Sequence, residues 1–125
     1  SETIRWATPV IHMRRTARTD CELAGKRIRA GDKVVMWYVS GNRDDEVIAN
    51  PNAFDIEREN VRRHLSFGFG THLCVGANLA RLVLTTVFRQ MSQKTTNLQV
   101  VVEPDVEANI FARAVKSFHL QVSPR

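Results

Sequence analysis

The amino-acid sequence predicts an α+β fold made of a small antiparallel sheet, one long amphipathic helix and a closing β-hairpin. Three observations support this prediction. β-Rich segments split by turn residues occupy residues 10–39, apolar residues recur at helical spacing after Cys74, and residues 98–122 return to short β-rich segments. The length of 125 residues, with 43% hydrophobic and 25% charged residues, fits one globular domain or a fragment of a larger one.

The first part of the chain predicts a helix followed by strands. Residues 1–7 are typical of the last turns of a helix that Pro9 ends, because the residue before a proline is pushed out of the helical conformation. Turn signals at residues 24–25 and 30–32 separate the β-rich segments and favour antiparallel pairing. The strands are predicted at residues 10–13, 22–23, 27–28 and 33–39.

The second part predicts a long loop, a helix and a hairpin. Residues 40–66 are rich in Asn, Asp, Arg and Pro, and they predict an ordered loop with one short helix near residues 44–48. Six apolar residues then share one face of an amphipathic helix: Ala80, Val83, Leu84, Val87, Phe88 and Met91. The closing hairpin is predicted from short β candidates at residues 98–102, 110–111 and 118–122.

Composition and charge limit the classes of function. The formal net charge of +5 permits an acidic protein, a nucleic acid or a membrane as partner, but no nucleic-acid-binding motif is present. No apolar run is long enough to span a bilayer, and no targeting signal is found. Cys21 and Cys74 have no CxxC partner, which argues against a disulfide framework and predicts a cytoplasmic protein. Because the first residues already lie in a predicted helix, we expect an N-terminal portion to be absent.

Residues 67–76 read FGFGTHLCVG and form the most informative segment. Its glycines, Gly68, Gly70 and Gly76, allow the backbone to approach a flat ligand closely. Cys74 lies just before the amphipathic helix, where unpaired N–H groups and the helix dipole favour a thiolate. Cys74 is therefore a candidate metal ligand or nucleophile. The alternatives are a buried unreactive cysteine and a zinc site with His72, for which no further paired ligand spacing is present.

This loop resembles the haem-binding loop of the cytochrome P-450 family. Its defining positions are occupied by Phe67, Gly70, His72, Cys74 and Gly76. The resemblance implies that Cys74 is the proximal ligand of the iron of haem b and that Phe67 shields the sulfur from water. It also implies that His72 contacts a haem propionate.

Two further motifs resemble the same family. Residues 2–5 read ETIR and match its ExxR motif, and Arg58 matches the arginine that completes a Glu-Arg-Arg triad. The resemblance implies a structural triad of Glu2, Arg5 and Arg58 that ties the first helix to the loop before the cysteine.

The resemblance assigns roles to residues outside these motifs. Arg15 corresponds to an arginine that reaches a haem propionate, and Val10 and Ile11 correspond to residues that line the substrate pocket. The basic surface near the cysteine loop is expected to receive an acidic electron donor. It includes Arg62, Arg63, Arg81 and Arg89.

The resemblance implies a monooxygenase that inserts one oxygen atom from O2 into a lipophilic substrate. The resemblance also implies that electrons come from NAD(P)H through a ferredoxin or a flavin-containing reductase, and the bacterial soluble members that the sequence resembles include some that act on steroids and fatty acids. Residues 1–125 are expected to be the C-terminal part of such a domain, without the acid-threonine segment of the distal haem face. The alternative is a truncated, non-catalytic fragment that at most binds haem or a partner protein.

Overall fold

The structure is a computed structural model that describes all 125 residues, Ser1–Arg125. Helix α1 (Glu2–Ala7) begins the fold and ends as the sequence predicts, just before Pro9. Thr8 follows the helix with a φ of 40°, and its backbone N–H donates to the carbonyl oxygen of Ile4 at 3.0 Å. A β-branched residue rarely adopts this left-handed conformation, so the end of α1 is held by its surroundings.

The predicted strands form two small antiparallel sheets instead of one. Strand β1 (His12–Thr16) pairs with β4 (Lys33–Trp37), and β2 (Cys21–Leu23) pairs with β3 (Lys26–Ile28). The β2–β3 hairpin is therefore an excursion between the two strands of the larger sheet.

Helix α2 (Tyr38–Gly41) replaces the end of the strand predicted at residues 33–39. The N–H of Tyr38 donates to the carbonyl oxygen of Ile11 at 2.9 Å, and the N–H of Asn42 donates to that of Tyr38 at 2.8 Å. The hydrogen bond to Ile11 thus outweighs the strand preference of Tyr38 and Val39, an aromatic and a β-branched residue.

The helix predicted near residues 44–48 is wrong, because the chain forms successive turns there. The side chain of Asp44 accepts a hydrogen bond from the N–H of Glu46 at 3.0 Å, which competes with helix formation. Short 3₁₀ helices occur later in the loop, at Val61–Arg63 and Gly70–His72.

The long helix and the closing hairpin agree with the sequence prediction. Helix α3 (Ala77–Lys94) follows the cysteine loop, and strands β5 (Thr95–Glu107) and β6 (Ala114–Pro124) pair in antiparallel fashion. The β candidate at residues 110–111 lies in the connection between β5 and β6. That connection attaches to the segment after α1, since the N–H of Ile11 donates to the carbonyl oxygen of Phe111 at 2.9 Å.

The buried centre of the molecule is more polar than apolar. Ten of the 125 residues are buried, and six of these are polar or charged: Glu2, Arg5, Thr8, Asn42, His64 and Ser66. Large apolar residues of α3, β5 and β6 are exposed instead, including Leu79 and Phe88. Hydrogen bonding therefore organises the middle of this fold as much as apolar packing does.

None of the helices of the chain has the length and apolar character that a membrane crossing requires.

We predict that Ala24→Asn stabilises the protein by about 0.5–1 kcal/mol, because Ala24 and Gly25 both have positive φ in the two-residue β2–β3 turn. Asparagine tolerates this conformation better than alanine, and both positions are exposed. The free energy of unfolding in urea measures the effect. Gly25→Ala is the opposite control: a Cβ there meets nothing within 4 Å, so a loss of stability reports backbone strain alone. Equal stability of all three proteins would contradict the prediction.

Candidate cofactor site

A buried ion pair joins the two ends of the ExxR motif. The guanidinium group of Arg5 donates to both carboxylate oxygens of Glu2, at 2.7 Å from Nε and 2.6 Å from Nη2. Arg5 is fully buried, and Glu2 is 4% exposed. The remaining donors of Arg5 reach the carbonyl oxygens of Asn42 at 2.8 Å, Pro51 at 2.9 Å and Ala53 at 3.1 Å. All five N–H groups of the guanidinium are therefore used.

Arg58 completes a cluster around the same carboxylate. Its Nε lies 3.3 Å from Oε1 of Glu2, and its terminal nitrogens donate to the carbonyl oxygens of Ala49, Asn50 and Ala53. The structure thus brings Glu2, Arg5 and Arg58 together, as the sequence resemblance implies.

The environment of Glu2 holds its side chain ionised. Burial by itself raises the pKa of this carboxyl group. Hydrogen bonds from Arg5, from the N–H of Asp55 and from Arg58 outweigh burial and lower the pKa of Glu2 to about 2. Two cationic side chains and one backbone donor therefore stabilise a single buried negative charge.

A second buried network extends from the ion pair to the segment before the cysteine loop. The side-chain amide of Asn42 donates to the hydroxyl oxygens of Thr8 at 2.9 Å and Ser66 at 2.8 Å. Its carbonyl oxygen accepts the N–H of Leu65 at 2.6 Å. The hydroxyl of Ser66 in turn donates to the carbonyl oxygen of Ile4 at 2.9 Å. Asn42 therefore links three separate segments.

The sequence prediction of site residues does not include Thr8, Asn42 or Ser66. Their partners lie 34 and 24 residues apart along the chain, and small polar residues in turns are common in any surface loop. No local signal in the sequence distinguishes them.

The cysteine loop is closed by its own backbone. The N–H of Cys74 donates to the carbonyl oxygen of Phe67 at 2.8 Å, and the N–H of Ala77 donates to that of Cys74 at 3.1 Å. Gly68 has a φ of 76°, and a Cβ there would lie 3.1 Å from the carbonyl oxygen of His72. Only glycine fits this position without strain. The side chain of Cys74 is exposed, at the entry to α3.

The predicted ligand residues meet at a cavity of about 440 Å³. Cys74, Arg15, His72, Phe67 and Gly68 line it, together with Val10. The other lining residues are mostly apolar: Ile4, Pro9, Met13, Tyr38, Ser66 and Val75. Three predicted residues, Ile11, Gly70 and Gly76, do not line this cavity. Gly76 is instead the N-cap residue of α3. A Cβ atom added to Gly76 would lie 3.8 Å from the sulfur of Cys74.

The cavity fits the group that the sequence resemblance implies. A mainly apolar wall suits a flat macrocycle, the accessible cysteine sulfur suits an iron atom, and Arg15 and His72 offer donors to carboxylates. In the chain itself, the guanidinium of Arg15 donates only to the neighbouring carbonyl oxygen of Arg14, at 3.0 Å. It therefore retains donors for a ligand.

His64 and Arg81 pack on the other side of the cysteine loop. The ring of His64 lies 5.6 Å from that of Phe67, and the guanidinium of Arg81 lies 4.8 Å from the centre of the same ring. The Nδ1 atom of His64 accepts the N–H of Ser66 at 3.3 Å. Burial, reinforced by the positive charge of Arg81, lowers the pKa of His64 to about 4. The imidazole is therefore neutral at neutral pH.

Three of the four predicted surface arginines converge on a second cavity, of about 630 Å³. Arg62, Arg63 and Arg81 line it with Gly70 and Phe69. Arg89 does not line it and lies further along α3. The predicted basic surface is therefore concentrated beside the outer face of the cysteine loop.

These features define a class of site: an apolar pocket that holds an accessible cysteine beside Arg15 and His72, with a basic cavity next to it. The sequence also matches the family model described as Cytochrome P450 over residues 1–120, and the chain belongs to this family.

Similar proteins agree with this assignment. The chain is 39% identical over 125 residues to linalool 8-monooxygenase of Pseudomonas putida, covering 100% of this chain and 30% of that protein. It is 42% identical over 117 residues to a methyl-branched lipid omega-hydroxylase of Mycobacterium tuberculosis, covering 93% and 27%. The solved structure of cytochrome P450-153 from Novosphingobium aromaticivorans matches with a TM-score of 0.93 and 43% identity, covering 98% and 31%. The chain spans less than a third of the length of these relatives.

We predict that acid destabilises the protein through His64. The folded chain keeps the pKa of His64 near 4, whereas its usual value is 6.5. Between these values the unfolded chain binds a proton that the folded chain does not, so stability is complete above pH 6.5 and falls as the pH drops to 4. Between pH 7 and pH 5 the loss is at most about 2 kcal/mol.

Urea unfolding at pH 7 and pH 5 measures this effect. In His64→Asn, an amide oxygen can still accept the N–H of Ser66 but does not titrate, so this part of the pH dependence should disappear. His119→Asn, at an exposed position of β6, is the matched control and should keep it. The prediction is wrong if His64→Asn and the unchanged protein lose equal stability between the two pH values.

Proposed function

We propose that residues 1–125 form the C-terminal part of a cytochrome P450 domain in a haem-thiolate monooxygenase. The observation that carries the proposal is that Cys74, at the ligand position of the family loop, shares one cavity with Arg15 and His72. Membership of the family supports the cofactor, haem b.

Each residue of the cavity has a proposed role toward haem b. Cys74 supplies the proximal iron ligand, Arg15 and His72 bind the propionates, and Phe67 excludes water from the sulfur. Gly68, Gly70 and Gly76 shape the loop so that its backbone can lie close to the macrocycle. When bound through a thiolate, haem supplies the activation of O2 that inserts one oxygen atom into a C–H bond.

The buried cluster is proposed to support this site without touching the cofactor. Glu2, Arg5 and Arg58 tie α1 to residues 49–53, and Asn42 ties both to the segment before Phe67. Side chains that hold a ligand loop in place reduce its freedom to move and so favour cofactor binding.

A lipophilic substrate is proposed from the relatives and from the cavity wall. Two of the similar proteins are named for linalool and for a methyl-branched lipid, which are largely apolar molecules. Val10 lines the cavity and is the better supported substrate contact. The proposed contact of Ile11 has less support, because this residue does not line the cavity.

We further propose that electrons from NAD(P)H arrive through a ferredoxin or a flavin-containing reductase. The cavity formed by Arg62, Arg63 and Arg81 lies beside the loop that holds Cys74, and its positive charge favours an acidic partner. Such an attraction weakens with salt. A cytoplasmic location stays a prediction from the sequence.

The 125 residues by themselves are proposed to bind haem weakly and to lack turnover. Cys74 is exposed, and the chain spans about 30% of linalool 8-monooxygenase. A haem needs apolar walls on both faces to exclude water. The exposure of Cys74 and the short length of the chain also fit the alternative, a non-catalytic fragment.

The carbon-monoxide spectrum of the full-length reduced protein tests the proposed ligand. We expect the red-shifted Soret band that a thiolate ligand produces, and we expect Cys74→Ala to lose it. Cys21→Ala is the matched control, because Cys21 is the other cysteine and lies exposed on β2. A folded protein that binds haem without the red shift, or a Cys74→Ala variant that keeps it, would contradict the proposal.

Haem content tests the supporting role of the buried ion pair. We predict that Glu2→Ala or Arg5→Ala prevents haem incorporation, because removing one partner of a buried pair costs roughly 3–5 kcal/mol. The haem-to-protein ratio after expression is the measurement. Arg27→Ala is the control, since it removes an exposed ion pair in which Nη2 of Arg27 lies 2.9 Å from Oδ2 of Asp20. Normal haem spectra in the Glu2 and Arg5 variants would refute this role.

A further inference from the structure

The hydroxyl group of Tyr38 has no hydrogen-bond partner within the chain and is accessible from the cavity, although most of the residue is buried. Tyr38 is 7% exposed and stands at the start of α2, where its backbone N–H is bonded to Ile11. Its side chain lines the cavity that also contains Cys74. The Oη atom lies 3.3 Å from the point that a Cβ on Gly68 would occupy, so it reaches the inner face of the cysteine loop.

Tyr38 differs in this respect from the other buried polar side chain of the same wall. The hydroxyl of Ser66 donates to Ile4 and accepts from Asn42, so it is fully engaged by the protein. A ligand that fills the cavity would cover the hydroxyl of Tyr38, and a covered tyrosine hydroxyl without a partner is unfavourable. A ligand in the cavity that offers an acceptor to Tyr38 would therefore be favoured.

We propose that Oη of Tyr38 donates a hydrogen bond to a carboxylate of the bound haem, as a third contact beside those of Arg15 and His72. This inference rests on the proposed function. The pyrrole nitrogens of haem are occupied by iron, so its carboxylates are the acceptors that the macrocycle itself offers. Arg15 and His72 line the same cavity as Tyr38 and are the side chains suited to hold those carboxylates there. The sulfur of Cys74 is the competing acceptor.

Tyr38→Phe in the full-length haem protein tests the contact, since it removes only the oxygen atom and keeps the ring. Resonance Raman spectra report the propionate bending modes and the iron–sulfur stretching mode separately. We expect the propionate band to shift in Tyr38→Phe, and transfer of haem to excess apomyoglobin to become about tenfold faster. Ser40→Ala is the matched control, because it removes a hydroxyl from an exposed position of the same helix and should change neither quantity.

The propionate band decides the outcome. An unshifted band in Tyr38→Phe overturns the inference, and a shift of the iron–sulfur mode alone assigns the hydroxyl to Cys74 instead. A Tyr38→Phe variant that takes up no haem also overturns it, because one lost hydrogen bond cannot account for complete loss. If the unchanged full-length protein holds no haem, the proposed function itself fails, which is a different result.

Discussion

The carboxylate of Glu2 and the guanidinium of Arg5 form a bidentate pair in the interior, and the other elements are arranged around it. A buried charge pair is costly to desolvate and stabilises a fold only when every remaining donor and acceptor is engaged. That condition is met here, because Arg5 uses its other three N–H groups on carbonyl oxygens from residues 42, 51 and 53. The pair therefore specifies where the long loop passes over α1.

The polar interior has a consequence for the cysteine loop. Asn42 accepts the N–H of Leu65 and donates to Ser66, so the chain enters the loop at a defined place. The ring of Phe67 then packs near His64 and Arg81, and its carbonyl oxygen accepts the N–H of Cys74. The position of the proposed ligand thus depends on a continuous set of contacts that begins at the ion pair. The exposed apolar faces of α3, β5 and β6 take no part in it.

Local signals account for what could be predicted. Helix α3 has strict apolar periodicity, the β2–β3 turn has a glycine at a position that requires positive φ, and the cysteine loop is continuous in sequence. One long-range contact and one local side-chain contact account for the errors. Tyr38 and Val39 have strand-forming side chains, but their N–H groups donate to the carbonyl oxygen of Ile11 and the residues belong to α2. The predicted helix at residues 44–48 is absent, and the side chain of Asp44 accepts the N–H of Glu46 there. The predicted site did not include Tyr38, because nothing near this residue in the sequence indicates that it lies beside Gly68.

The sequence alone determined the family, the loop FGFGTHLCVG and the candidate ligand Cys74, because these depend on residue types at adjacent positions. It also named the members of the triad, although only through a resemblance. The tertiary structure decided which polar groups are buried together and which face one cavity. Thr8, Asn42 and Ser66 are ordinary loop residues until the fold removes them from water, and Arg15 and His72 come to one cavity from elements more than 50 residues apart. Burial and convergence are properties of the folded chain, so no local pattern in the sequence records them.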